Sequence, residues 1–325
     1  MTRAVVVARI GGPEVLEVRE LELGSPGPGE ARVRHGAIGL NYIDVYFRSG
    51  VYPPPGLPFV PGLEGAGTVE EVGPGVVSLA PGDRVAYASR PLGAYAEARN
   101  LPADRLVALP DEVDFETAAA IVLKGLTAQV LVRRVVPLAA GDWVLVHAAA
   151  GGVGSLLASW AASLGARVIG TVGSPEKARL AKRRGAEHTV LYRDEPLARR
   201  VREITSGQGV RVVYDSVGRD TLRDSLDCLA PLGTLVSFGQ SSGSPPPVEL
   251  SDLASRGSLF LTRPSLLDYT ARREDLLASA KELFAALRSG AVEATIGARF
   301  PLAEAARAHR ALEGRQTTGS TLLMP

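Results

Sequence analysis

HAAAGGVGS, residues 147–155, decides how the chain folds. An apolar run, WVLVHA, leads into it and an amphipathic run, VGSLLASWAASLG, leads out, so its glycines stand at a strand-to-helix turn. A flexible joint would separate two folded pieces, whereas this stretch lies inside one β-α-β unit. It contains Ala149-x-Gly151-x-x-Gly154, the dinucleotide fingerprint with alanine for the first glycine. Gly151 lets the backbone approach a pyrophosphate. Gly152 and Val153 open a helix whose terminal amides and positive dipole end face the anion, and Gly154 lets strand and helix pack closely.

Downstream the alternation continues. Strand candidates ARVIGTV, HTVLY, VRVVYDSV, GTLVSFG and SLFLT follow WVLVHA, and the helical stretches PEKARLAKRRG, EPLARRVREITSG and RDTLRDSLDCLAPLG separate most of them. Strands alternating with helices predict right-handed crossovers and a doubly wound parallel sheet of Rossmann type. Upstream the texture differs. GSPGPGE, VYPPPGLPFVPG and VGPGVVSLAPGDRV break the first hundred or so residues into short alternating runs, which reads as a mainly β domain. After SLFLT come another helix, REDLLASAKELFAALRSG, and a closing strand, GSTLLMP, which are expected to rejoin the first domain. The expected boundaries are therefore 1–124, 125–262 and 263–325.

The 325 residues suffice for two domains of ordinary size. Lys plus Arg at 36 nearly balances Asp plus Glu at 35, which argues against a nucleic-acid or anionic-membrane partner and for a small one. No apolar run reaches the roughly 18 residues of a membrane span, and MTRAVVVARIGGPE lacks a signal-peptide layout, so a soluble, cytoplasmic protein is expected. The single cysteine, Cys228, allows no internal disulfide and reads as a buried core thiol.

The second strand selects the cofactor. An NAD site places Asp or Glu about 20 residues beyond the fingerprint to bind the adenosine ribose. Here that place reads Thr171-Val172-Gly173, without an acid. Ser174 and Pro175 form a helix cap and first position, and Lys177 falls in the first turn, where the helix dipole disfavours a cation. A ribose 2′-phosphate would compensate it, with Ser174 as helper, which favours NADPH over NADH. The competing reading of Lys177 is a solvated surface lysine.

With these stretches in view, the sequence resembles the zinc-free quinone oxidoreductases of the ζ-crystallin-like group, within the medium-chain dehydrogenase/reductase superfamily. The resemblance spans nearly the whole chain, through RIGGPEVLEV, AIGLNYIDVYFRSGVYPPP, PGLEGAGTVEEVG, GDRVAYA, LGAYAE, LKGLTAQ, HAAAGGVGS, GTVGSPEKA, VVYDSVGRDTL, LVSFGQSSG and SLFLTRPSL. It implies a GroES-like catalytic domain built from both chain ends around a Rossmann domain, and a homodimer joined along the SLFLT edge. It also implies NADPH-dependent reduction of quinones. The superfamily's zinc enzymes hold their metal with cysteines and histidines. Here the GHE stretch reads Gly62-Leu63-Glu64, so no metal site is expected, and Glu64 is read as a buried carboxylate paired with an arginine. His35, His147, His188 and His309 are scattered and read as structural or surface groups.

A quinone accepts hydride without a Lewis acid, provided the reacting atoms are held in near-attack geometry. The resemblance places Asn41, Tyr42, Asp44 and Tyr46 at the coenzyme cleft, with the Asn41 amide as a hydrogen-bonding group and Tyr46 as a donor to the quinone oxygen; the plain alternative is a polar turn with a buried tyrosine. Tyr52 is close enough in sequence to line the same cleft. Arg263, with Pro264 and Ser265, follows the sixth strand and meets either a phosphate, a quinone oxygen, or a salt-bridge partner. Tyr192 is expected on adenine. Ser216 and Val217 are expected to line the cofactor cleft, and Gly239, Gln240, Ser241 and Ser242 its nicotinamide half, because parallel sheets bind ligands at their carboxyl ends. Gly173 accompanies Ser174 and Lys177, Lys124 is placed at either the ribose or the interdomain face, and Arg315 is a second basic contact to the 2′-phosphate. Two rival functions stay open. One is reduction of an activated C=C bond in enones, enals or enoyl thioesters; the other is non-catalytic binding of NADPH or RNA.

Overall fold

The computed structural model of the chain describes residues 1–314 and 316–325. It divides into two compact units, one formed by Met1–Leu126, Thr270–Phe284 and Ala294–Pro325, the other by Thr127–Tyr269 and Ala285–Glu293.

The second unit is built on a six-stranded parallel sheet in the order Ala186–Leu191, Arg167–Val172, Trp143–Val146, Val210–Asp215, Leu229–Ser237, Phe260–Thr262. In chain order that is 3-2-1-4-5-6, the doubly wound arrangement whose order reverses beside the first strand. Helices cover both faces, so the strands are continuous apolar runs. Leu145, Ile169, Val190, Val213 and Leu235 are fully buried and pack with Val201, Leu222 and Leu226 from the crossover helices. The fourth of these helices ends at Cys228, earlier than the expected RDTLRDSLDCLAPLG stretch, and strand begins at Leu229. Pro231 has no amide to extend a helix, and Leu232 takes a positive φ of 62°.

This unit also runs past the expected boundary at residue 262. Arg134 donates to the Tyr269 carbonyl at 2.6 Å and stacks over its ring, which holds the short helix Leu266–Tyr269 in the unit. Ala285–Glu293 is held likewise, by Ser159 Oγ donating to the Ala291 carbonyl and by an Arg184–Glu293 ion pair.

In the first unit the closing strand Ser320–Met324 pairs antiparallel with Glu30–Leu40, and Thr321 faces Leu40. The sheet continues through Glu64–Val72, Arg84–Ala88 and Val107–Ala108, with Ala98–Pro102 on the other side of Glu30–Leu40. Val33, Ile38, Val69, Val85, Tyr87, Leu101 and Leu323 fill its core. Helix Phe115–Val130 carries Lys124. Its continuation to Val135 is long and apolar enough to cross a membrane by length and composition, an exception to the expectation of no such run. Most of its apolar stretch is buried in the fold, so it reads as core.

Candidate functional site

At the end of the first strand of the parallel sheet, the chain turns through Ala148, at φ 51°, into helix Gly152–Ser163, with Gly151 at its N-cap. A Cβ on Gly154 would stand 2.2 Å from the Ala148 carbonyl oxygen, and one on Gly151 3.1 Å from it, so only glycine permits the turn at position 154. Gly151 offers no side chain to cap the helix. The amides of the first turn, including those of Gly152 and Val153, are therefore suited to an external anion, and the cradle fits a diphosphate.

At the end of the second strand, Ser174 caps helix Pro175–Arg183, its Oγ accepting from the Lys177 amide at 3.3 Å, and Lys177 is half-buried. A Cβ on Gly173 would lie 3.0 Å from the Tyr192 hydroxyl, so Gly173, Ser174, Lys177 and Tyr192 form one cluster. Arg315, expected to join it, lies outside the described residues.

The fourth and fifth strands end in loops fastened together. Ser241 donates its amide to the Ser216 carbonyl at 3.1 Å, Ser242 donates amide and hydroxyl to the Val217 carbonyl, and a Cβ on Gly239 would lie 2.7 Å from the Ser216 carbonyl oxygen. Asp215, fully buried and missed by the sequence reading, holds the base of the first loop. Its carboxylate accepts from the amides of Val217 and Gly218, from Thr221 Oγ1 and from Ser225 Oγ. Ser225 in turn bonds His147 Nε2 at 3.0 Å, and His147 Nδ1 bonds Thr171 Oγ1 at 3.0 Å. Burial lowers the His147 pKa and keeps the ring neutral. The signal was present in VVYDSVG, an acid at the carboxyl end of a buried strand.

Arg263 bonds Ser237 Oγ at 3.3 Å and Gln240 Oε1 at 2.9 Å, on the neighbouring strand and loop. Pro264 follows, and the Ser265 carbonyl accepts the Asp268 amide where helix Leu266–Tyr269 begins.

In the first unit, Asn41 caps helix Tyr42–Arg48 through a reciprocal box with Asp44. Asn41 Nδ2 donates to Glu64 Oε2 at 2.8 Å. Glu64, with no exposed surface, also accepts the Leu123 amide at 2.6 Å and pairs with Lys124 Nζ at 3.2 Å. The expected arginine partner of Glu64 is thus a lysine. The reason is steric: a Cβ on Gly39 would stand 2.0 Å from Glu64 Oε2, so the carboxylate occupies the space that glycine leaves beside helix Phe115–Val130. Lys124, expected at the ribose or an interdomain face, is 5% exposed and engaged by Glu64.

Asp44, expected to contact the cofactor, is fully buried. Its Oδ2 accepts from the Asn41 backbone amide at 2.9 Å and the Tyr95 hydroxyl at 3.1 Å, so its carboxylate is engaged within the fold. Tyr42 and Tyr46, one helical turn apart, have ring centroids 6.1 Å apart. Tyr52 meets Tyr46 edge-on at 5.1 Å, and its amide bonds the Tyr46 carbonyl. Asn41, Tyr42, Tyr46 and Tyr52 are therefore brought together.

Residues 27–111 match the family model of the alcohol dehydrogenase GroES-like domain, and residues 152–285 match that of a zinc-binding dehydrogenase. A quinone oxidoreductase of Pseudomonas aeruginosa is 55% identical over 325 residues, covering all of both chains. The chain belongs to the quinone oxidoreductase family. Within this family, the crystal structure of Escherichia coli quinone oxidoreductase complexed with NADPH superposes with a TM-score of 0.98 at 48% identity, over 99% of this chain and 100% of that one. A 2-haloacrylate reductase of a Burkholderia species is 46% identical over 100% of this chain and 99% of its own. Although one matched family model is described as zinc-binding, the described residues of this quinone oxidoreductase family member gather no group of three or more His, Cys, Asp or Glu that could hold a metal ion.

Proposed function

We propose that the chain reduces quinones to quinols with NADPH, by hydride transfer that depends on positioning. The observation that carries this reading is the end of the second strand, where Ser174 and Lys177 at a helix N-terminus replace the carboxylate of an NAD site. The Gly151–Gly154 turn would hold the diphosphate, Ser174 and Lys177 the 2′-phosphate with Arg315 as a second cation, and Tyr192 the adenine. Ser216, Val217, Gly239, Gln240, Ser241 and Ser242 would line the nicotinamide pocket, its floor fixed by Asp215 and by Arg263 through Gln240. When bound, NADPH supplies a hydride from its nicotinamide C4, and a quinone is electrophilic enough to take it without a metal.

Asn41 and the tyrosines supply the acceptor's surroundings. The box with Asp44 and the bond to Glu64 hold the Asn41 amide in one orientation. Tyr42 and Tyr52 pack against Tyr46 and restrict its ring, which preorganises the hydroxyl as a donor to the oxygen that gains charge. Tyr46→Phe keeps the ring and removes that donor. Its kcat is expected to fall about tenfold to a hundredfold, roughly 1.4 to 2.7 kcal/mol, with NADPH affinity nearly unchanged. Full kcat in the variant, with a deuterium isotope effect showing that hydride transfer limits the rate, would make Tyr46 a wall residue.

The relative named 2-haloacrylate reductase favours a second reading, reduction of an activated C=C bond, because the same hydride geometry serves both. Rates of NADPH oxidation against a panel of ortho- and para-quinones and enones decide between them. Quinone turnover is expected, and activity confined to enones would overturn the first reading.

The same reading takes the protein as a cytoplasmic homodimer with a small-molecule substrate and no membrane or nucleic-acid partner. Phe260–Thr262 is the edge strand of the parallel sheet, and Phe260 and Leu261 on it are 60% and 40% exposed. Pairing with a second copy would cover them.

A further inference from the structure

A buried string of polar side chains crosses the first unit below Asn41. Arg48 Nη1 lies 3.0 Å from His309 Nδ1, His309 Nε2 lies 3.0 Å from the Tyr95 hydroxyl, and the Tyr95 hydroxyl lies 3.1 Å from Asp44 Oδ2. His309 belongs to helix Ala305–Glu313, close to the chain's end, and Tyr95 to the loop before strand Ala98–Pro102. Arg48, His309, Tyr95 and Asp44 are all at most 2% exposed.

One end of the string fixes its direction. A guanidinium has no acceptor, so Arg48 donates and His309 Nδ1 must accept. The His309 proton is then on Nε2 and points at Tyr95, and the Tyr95 proton is left for Asp44. Burial drives the His309 pKa down to about 3, so the ring remains neutral and its tautomer stays set. The Arg48 charge is compensated at the far side by Glu313, at 2.5 and 3.1 Å.

We propose that His309 and Tyr95 are positioning residues that hold Asp44 as a carboxylate, and through its bond to the Asn41 amide hold the cap and the tyrosine-bearing helix in working geometry. A protonated Oδ2 would set its proton against the Tyr95 proton directed at it and leave that hydroxyl without its acceptor. The other oxygen, Oδ1, is buried without a hydrogen-bond partner among the described residues, so a proton there would have no acceptor. Opposing the string is burial, which pushes the Asp44 pKa up to about 7. The groups facing Asp44 are Asn41 and Tyr95, which favour its charged form, Glu64 from strand Glu64–Val72, which opposes it, and Lys124 from helix Phe115–Val130, which favours it. With the opposing effects balanced near neutrality, losing one donor is enough to protonate Asp44.

The inference rests on the proposed function for its activity readout. The pH dependence of kcat/KM for quinone, from about pH 5.5 to 9, is compared in wild type, Tyr95→Phe, His309→Leu and His309→Gln. Tyr95→Phe and His309→Leu are expected to move the acid limb up by about one pH unit, as for one lost hydrogen bond to a charge, and to recover activity at high pH. His309→Gln, which can still accept from Arg48 and donate to Tyr95, is expected to keep the wild-type limb. A limb that stays put in both disruptive variants, or a loss equal at every pH, would overturn the proposal.

Urea unfolding supplies a readout that needs no substrate. A carboxyl with a raised folded pKa loses stability as pH rises towards that pKa, so a further rise makes the Tyr95→Phe deficit larger at about pH 8 than at about pH 6. An inactive wild type with that pH-dependent deficit would refute the functional reading while supporting the string. A deficit independent of pH would refute the string.

Discussion

Lys124→Met is expected to destabilise the protein by about 3 kcal/mol, read as a lower urea midpoint at unchanged slope. The substitution keeps the length and apolar stem of the side chain but removes the only cation paired with Glu64 among the described residues. The carboxylate has no exposed surface and would be left with the Asn41 amide and the Leu123 N–H as its donors. Breaking a buried ion pair costs more than the pair contributes, because the remaining charge stays desolvated. Adding Glu64→Gln to Lys124→Met removes that charge, and the double variant is expected to regain most of the loss. A single variant as stable as wild type would mean that the pair does not hold this part of the first unit together.

Glu64 and Lys124 also show where the sequence was legible and where it was not. The strands and helices of the parallel sheet follow from apolar runs and glycine stops that are local in the chain, as does the turn at Gly151–Gly154, and these could be read directly, whereas the order of the strands within the sheet could not. Side-chain partners separated by 60 residues could not be. That Glu64 was buried could be inferred from its neighbours in PGLEGAGTVEEVG, but its partner depends on how helix Phe115–Val130 lies beside the space left by Gly39. The partner of Asp44 was hidden for the same reason, since NYIDVY gives no sign that Tyr95, from a distant loop, stands against its carboxylate. His309 offered no local pattern, and its place is set by the Arg48 and Tyr95 that it joins.

Lys177→Ala is expected to weaken NADPH binding by about 1 to 3 kcal/mol, the loss for a charge-assisted hydrogen bond to a phosphate, and to leave NADH binding nearly unchanged. The asymmetry is the informative part. Lys177 sits in the first turn of helix Pro175–Arg183, where the dipole opposes a cation and a bound 2′-phosphate would offset that penalty. Ser174 remains as the cap in the variant, so the helix should persist and the effect should be confined to the phosphate. Titration calorimetry with both cofactors measures it. Equal weakening of NADPH and NADH would remove Lys177 from the 2′-phosphate site.

In the proposed reaction, hydride passes from NADPH to a quinone held in place by this chain. A single-turnover experiment tests it most directly: the protein loaded with NADPH, deuterated at one or the other C4 position, is mixed with a para-quinone and the loss of nicotinamide absorbance is followed. A primary isotope effect is expected for one C4 epimer and none for the other, because one face of the ring would be presented to the acceptor. Oxidation at the same rate with both epimers and with unlabelled NADPH, or no oxidation at all, would contradict it.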